Sequence, residues 1–177
     1  MALTGELVRL RPIEPEDADP MWRWHNDPDA MRWMTEGYPE SLAQLRKRLA
    51  DFPPNSYSRV RFAVETLDEG RFVGVVVLRD AEPESGRAEV DIYFGDADAR
   101  GKGYGTEALR LLCRWGFHNM RLHAIQLYVV VDNVAAVRVY EKVGFIVEGR
   151  LREVFRRDGQ LHDMLLMSVL AREFEQA

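Results

Sequence analysis

The sequence predicts an α/β domain on a mixed sheet, an antiparallel meander followed by a parallel strand pair, with flanking helices. Three observations lead there. Residues 61–66 and 71–78 are strand patterns joined by the turn Leu67-Asp68-Glu69-Gly70, and the second is a nearly continuous apolar run, the mark of a central strand. Residues 88–94, after a turn at Gly86-Arg87, continue the meander. A helical period, Ala108, Leu111, Leu112 and Trp115, then separates that strand from another at 124–131, and strands joined through a helical crossover lie parallel in one sheet.

The other elements follow in chain order. Leu7-Val8-Arg9-Leu10-Arg11 alternates apolar and charged residues, a short strand that Pro12 ends. Glu14-Pro15-Glu16-Asp17-Ala18 opens a helix with acids in its first turn; it continues through Met21, Trp22 and Trp24 and stops ahead of Pro28. Residues 29–38 are irregular yet hold Met31, Trp33, Met34 and Tyr38, which suits either a pocket wall or aromatic plugs of the core. Ser41 is placed to cap a helix over 41–49, ended before Pro53-Pro54. Beyond the parallel pair, Asn133 can cap a helix carrying Val134, Val137, Tyr140 and Val143, with Gly144 closing it. A piece over 145–148, a loop around Arg157-Asp158-Gly159 and a strand over 161–169 complete the chain. With no repeat or linker, 177 residues make one domain over 1–177.

Composition narrows the function classes. Hydrophobic residues at 46% and charged residues at 30% are those of a soluble globular protein. The single cysteine, Cys113, rules out an intramolecular disulfide and a multi-cysteine zinc site, and no metal is expected. The opening MALTGELVRLRP lacks an apolar signal region and no run reaches transmembrane length, so a cytoplasmic location and no membrane partner are expected. A net charge of -5 with scattered basic residues gives no reason to expect nucleic acid.

The chemistry concentrates in Ala88 to Ala108, AEVDIYFGDADARGKGYGTEA. A strand feeds a glycine loop that opens a helix, so unpaired N–H groups and the positive dipole end form a seat for an anion such as a diphosphate. A P-loop is excluded, because the residue five after Gly95 is Arg100 and Lys102 is followed by Gly103. Gly103, Gly105 and Ala108 can carry a dinucleotide fingerprint with Asp132 as its acid, a nicotinamide-dependent oxidoreductase, although Asp132 lies farther along than the roughly twenty residues that fingerprint calls for. R-x-x-G-x-G is a third reading, on Arg100, Gly103 and Gly105. Glycines serving turn geometry alone are the fourth.

Arg100-Gly101-Lys102-Gly103-Tyr104-Gly105-Thr106, with Asp132-Asn133-Val134-Ala135-Ala136-Val137-Arg138-Val139-Tyr140-Glu141-Lys142-Val143-Gly144-Phe145 further on, resembles the two central motifs of the GCN5-related N-acetyltransferase (GNAT) superfamily. Leu10-Arg11-Pro12 with Asp17, Arg61-Phe62-Ala63-Val64-Glu65 and Glu148-Gly149-Arg150-Leu151-Arg152-Glu153 resemble one branch of it, that of the ribosomal-protein alanine and spermidine N-acetyltransferases. The resemblance implies a GNAT-type fold whose parallel strands splay around the pantetheine arm of acetyl-CoA, the cosubstrate. Main-chain groups around Ile92, Tyr93 and Phe94 would then pair with the pantetheine amides as a missing strand does. It further implies that the N–H groups from Arg100 to Gly105 meet the pyrophosphate, helped by the Thr106 hydroxyl and the charges of Arg100 and Lys102. Asn133 would contact the cofactor, cap its helix, or do both. Relatives often form dimers through their sheets or C-terminal segments, so a homo-oligomer is expected.

Acetyl transfer from a thioester to an amine needs a neutral amine, a polarised carbonyl and a proton for the leaving thiolate. The resemblance gives the last task to Tyr140, which could otherwise be a core tyrosine. Glu89, on the strand entering the site, is the candidate base or water-positioning group; Asp91 shares its face by period two. Glu36, with Trp33 nearby, is the candidate acceptor contact. The acceptor itself stays open among a polyamine, a protein N-terminus and another small amine, and a non-catalytic acyl-CoA sensor is a further alternative.

Overall fold

The computed structural model describes residues 3–35 and 38–174. Eight strands form one sheet in the order β1-β2-β3-β4-β5-β6-β8-β7, where β1 is Leu3–Thr4, β2 Val8–Arg11, β3 Arg59–Thr66, β4 Phe72–Glu82, β5 Arg87–Phe94, β6 Ala124–Val130, β7 Ile146–Arg157 and β8 Gln160–Leu170. Every neighbouring pair is antiparallel except β5–β6, the parallel pair the sequence predicts. The helices are α1 (Ala18–His25), α2 (Leu42–Ala50), α3 (Tyr104–Asn119), α4 (Val134–Val143) and α5 (Ala171–Phe174).

Period-two alternation along the strands sorts the core into two layers. Val64, Val76 and Val90 turn to the face covered by α3 and α4, where Leu109, Leu112 and Val143 are buried. Ala63, Val75 and Tyr93 turn to the other face and pack with Met21 and Trp24 of α1 and Leu45 and Leu49 of α2. Fully buried Leu109 and Leu112 each contribute about 1.5–3 kcal/mol by leaving water, enough to seat α3 and fix where its N-terminus points.

Local signals worked where side chains bond the backbone. The Ser41 hydroxyl accepts the Gln44 N–H at 3.2 Å and caps α2, the Asn133 side chain accepts the Ala136 N–H at 3.4 Å and caps α4, and Gly144 closes α4 with φ +106°. The N-terminal helix starts later than predicted: Pro15–Asp17 is a 3-10 turn ahead of α1. The largest correction is β7. The sequence predicts a short piece over 145–148, but the strand runs to Arg157. Its EGRLREVFRR stretch has no apolar alternation because β7 is the sheet edge and largely exposed, and Glu153 with φ +57° marks one of its register shifts.

Arg11 ties three early elements together. Its guanidinium donates to both Asp17 carboxylate oxygens at 2.8 Å and to Glu65 at 2.5 Å, while Arg9 Nε donates to the other Glu65 oxygen at 2.7 Å. Asp17 and Glu65 are 5% and 7% exposed, so neither acid can fall back on water. Burial pushes the Glu65 carboxyl up, and the Arg11 and Arg9 bonds more than reverse this. We expect Arg11→Ala to lower unfolding stability by about 3 kcal/mol in urea titrations, since it takes the guanidinium from buried Asp17 and leaves Glu65 with Arg9 alone. Unchanged stability would show the network to be dispensable.

Candidate active site

β5 and β6 pair over only three rungs, Arg87↔Ala124, Ala88↔Ile125 and Glu89↔Gln126, and then part. Beyond that point residues 90–94 of β5 have no partner on the β6 side, and β6 turns its other edge to β8. The phase of the ladder tells which groups face the gap. Gly95 N–H donates to the Val73 carbonyl at 3.1 Å, and the register continues without a shift through Val75↔Tyr93. The main-chain groups of Tyr93 therefore pair with β4, and those of Ile92 and Phe94 point into the gap. This corrects the sequence-based set: Tyr93 offers the cleft no backbone, and its ring packs with α1 and α2 instead.

At the open end of the gap, Gly101 (φ +74°) and Gly103 (φ +86°) adopt left-handed conformations that a side chain would strain. The hydrogen-bond ladder of α3 begins with Glu107 N–H donating to the Gly103 carbonyl at 3.1 Å, which leaves the N–H groups ahead of it, Tyr104, Gly105 and Thr106 included, without helical partners. Nothing lies within 4 Å of where a Gly101 Cβ would be, so the cradle is open to a ligand. Lys102 is exposed at its rim, and Arg100 folds back to donate to the Gly95 carbonyl at 3.2 Å. A donor set of backbone amides with a cation at the edge fits a diphosphate. Gly95 itself is where α1 touches the seat: a Cβ there would fall about 2 Å from the Trp24 indole, whose Nε1 donates to Asp96 at 2.9 Å.

Tyr140, 7% exposed, is on α4 one turn before Gly144 and packs against Phe145. Among the described residues none hydrogen-bonds its hydroxyl. Burial, and then the charge of Asp91, push the phenol above its ordinary range.

A family model described as an acetyltransferase (GNAT) domain matches residues 8–146. The chain belongs to the GNAT acetyltransferase family. It is 33% identical over 172 residues to a spermidine N(1)-acetyltransferase of Escherichia coli K12, covering 97% of this chain and 90% of that one. A spermidine N-acetyltransferase of Vibrio cholerae, solved in complex with CoA and spermine, superimposes with a TM-score of 0.82 at 28% identity, over 95% of this chain and 98% of its own. A GNAT-family acetyltransferase from Bacillus anthracis has a TM-score of 0.83 at 24% identity, over 98% and 100%, a likeness of fold. This GNAT chain is thus an N-acetyltransferase, and acetyl-CoA is its acetyl donor. The nicotinamide reading falls with that membership; Asp132, its acid, holds His162 Nδ1 at 2.7 Å. No described helix is long and apolar enough to cross a membrane.

Glu89 and Asp91 are not free carboxylates. Arg79 of β4, which sequence reasoning missed, reaches across to β5, donating to Asp91 from Nε at 2.6 Å and to Glu89 from Nη2, with Asp80 on its third nitrogen. Glu89 is at the last paired rung, the apex of the gap, and Asp91 is on the first open stretch, on the same face. Burial lifts the Glu89 carboxyl above its ordinary value against the pull of Arg79. Asn133 has its side chain engaged as a cap. Trp33 packs between the β7–β8 hairpin and Arg32: its ring meets His162 edge-on at 5.5 Å and Phe155 at a tilt at 6.4 Å, with the Arg32 guanidinium 5.1 Å above it. Glu36 lies outside the described residues. His25 was also missed; its Nε2 meets the Tyr93 hydroxyl at 3.2 Å, and burial keeps its ring toward the neutral form. A lone His in a helix gives no pattern, and an arginine in an apolar strand reads as an exposed charge.

Proposed function

We propose that this GNAT enzyme moves the acetyl group of acetyl-CoA directly to a primary amine of a polyamine, with Tyr140 as the general acid. The observation that carries the reading is the Tyr140 phenol: it is kept protonated by burial, hydrogen-bonded by none of the described residues, and carried on a helix that starts at the open end of the gap. In the reaction the amine lone pair attacks the thioester carbonyl carbon, the C–S bond breaks, the phenol proton passes to sulfur, and the proton that the attacking nitrogen sheds passes to Glu89, directly or through water. Ile92 and Phe94 main-chain groups would pair with the pantetheine, and the amides from Gly101 to Thr106 would hold the diphosphate; the Arg100 N–H, expected among them, donates to the Ala97 carbonyl at 3.2 Å instead. One catalytic domain over the whole chain is part of the same reading.

Relatives named spermidine N-acetyltransferases support a polyamine acceptor; a protein N-terminus or another small amine is the second choice. Glu89 is the proposed base or water-positioning group, with Asp91 beside it and Trp33 and Glu36 as acceptor contacts. A carboxyl raised by burial suits the role, since a base works best when its pKa approaches the working pH. Self-association is proposed from β7: Val147, Leu151 and Val154 are 50%, 40% and 53% exposed on an edge strand of twelve residues.

Thiol release from acetyl-CoA should be fastest with polyamines in a panel that includes N-terminal peptides, aminoglycosides and amino acids. Tyr140→Phe should lower kcat by about 10²–10⁴-fold with coenzyme A binding unchanged; full turnover would remove Tyr140 from the mechanism, and zero release from the parent over the whole panel would favour the sensor. Because the base must be deprotonated, the acid limb of kcat/KM should lie above the ordinary glutamate range and vanish in Glu89→Gln. If Glu89→Gln and Glu36→Gln both keep full turnover, the acid assignments are wrong. Sedimentation should give a mass above one protomer, and a monomer would end the self-association reading.

A further inference from the structure

An acid in the first turns of a helix ordinarily serves that helix's own N–H groups. Glu107 of α3 does not. Its Oε1 accepts the Glu6 N–H at 2.9 Å, and its Oε2 accepts the Leu7 and Val8 N–H groups at 2.7 and 2.8 Å. Three consecutive amides of the turn between β1 and β2 thus wrap one carboxylate, the way such nests hold anions. The turn is shaped for it. A Cβ on Gly5 would fall 2.4–2.8 Å from the Glu107 carboxyl atoms, and Gly5 N–H closes the turn on the Val8 carbonyl at 2.9 Å. From the other side, Leu67 N–H donates to the Leu7 carbonyl at 2.9 Å. Gripped in this way, Leu7 lies against the glycine loop: a Cβ on Gly103 would meet Leu7 Cδ1 at 3.3 Å. Leu7 is 42% exposed, so the loop, and not the deep core, is what it packs on.

The geometry points to Glu107 as a positioning residue for the coenzyme A seat. It sets the Leu7 turn against Gly103, which holds the left-handed turn that aims the amides of the glycine loop outward. It also turns its own charge toward residues 6–8, so the first amides of α3 are left for the ligand. This rests on the assignment of that loop as the diphosphate seat. Electrostatics alone expect the opposite of what positioning expects, because deleting a negative charge within a turn of a bound diphosphate should tighten binding.

Calorimetric titration of coenzyme A into the parent protein, Glu107→Gln and Leu7→Ala separates the two. An amide at position 107 can accept from the turn with only one of its two ends, and Leu7→Ala removes the contact with the loop while keeping the carboxylate. Both variants should weaken the coenzyme A Kd by about tenfold, Glu107→Gln through a lost charge-assisted bond and Leu7→Ala through the lost apolar contact with the loop. The KM for acetyl-CoA should rise with it, and kcat at saturation should stay within about twofold. In the parent protein, amide hydrogen exchange over residues 5–8 should slow when coenzyme A is added. If Glu107→Gln does not fold, the surface variant Leu7→Ala decides. A parental or tighter Kd in either variant overturns the proposal. A parent that does not bind coenzyme A at all overturns the seat itself, which is a different result.

Discussion

Two parallel strands that part after three rungs impose the constraint on which the rest of this structure depends. A strand edge opened inside a sheet leaves main-chain groups without partners, and each such group costs about 1–3 kcal/mol if it is buried unpaired. Ile92 and Phe94, both half-buried, carry such unpartnered groups here. The fold sustains them because both sides of the gap are braced independently: β5 is paired along its full length with β4, and β6 with β8. Such an edge, held open by rigid neighbours, is prepared to receive an extended ligand that supplies the missing amides and carbonyls.

The helices flanking the gap are positioned by the same bracing. Leu109 and Leu112 fix α3, so its N-terminus meets the end of β5, and α4 brings Tyr140 in from the same layer. The acids come from the opposite face, since Glu89 and Asp91 alternate with Ala88, Val90 and Ile92. The two faces thereby bring different chemistry to one opening: a neutral phenol on one side, and on the other two carboxylates that share the single charge of Arg79 with Asp80.

What the sequence disclosed follows from how local each cause is. Caps at Ser41 and Asn133, the glycine stop at 144 and the glycine loop at 101–105 are written within a few residues, and the structure has them where the pattern puts them. The parallel pair was legible because a helical period separates two apolar runs. β7 was not: an exposed edge strand has no buried face to write an alternation, and its charged residues read as a loop. Nor were the contacts that cross the chain. Arg79 with Glu89 and Asp91, Glu107 with the amides of residues 6–8, and Trp33 against His162 and Phe155 join segments that only the folded sheet brings together. The division of labour at Tyr93, ring toward α1 and backbone toward β4, depends on ladder phase, which no single segment encodes.

The contact between Trp24 and Gly95 has a consequence for how this chain can drift. An indole that lies flush on a main-chain segment, with its nitrogen committed to Asp96, leaves no volume for even a methyl at position 95. The two sites are therefore not independent variables: a smaller ring at 24 must arise before any side chain can be accommodated at 95. Among distant cousins a side chain at 95 should appear only where the residue at 24 has already become smaller.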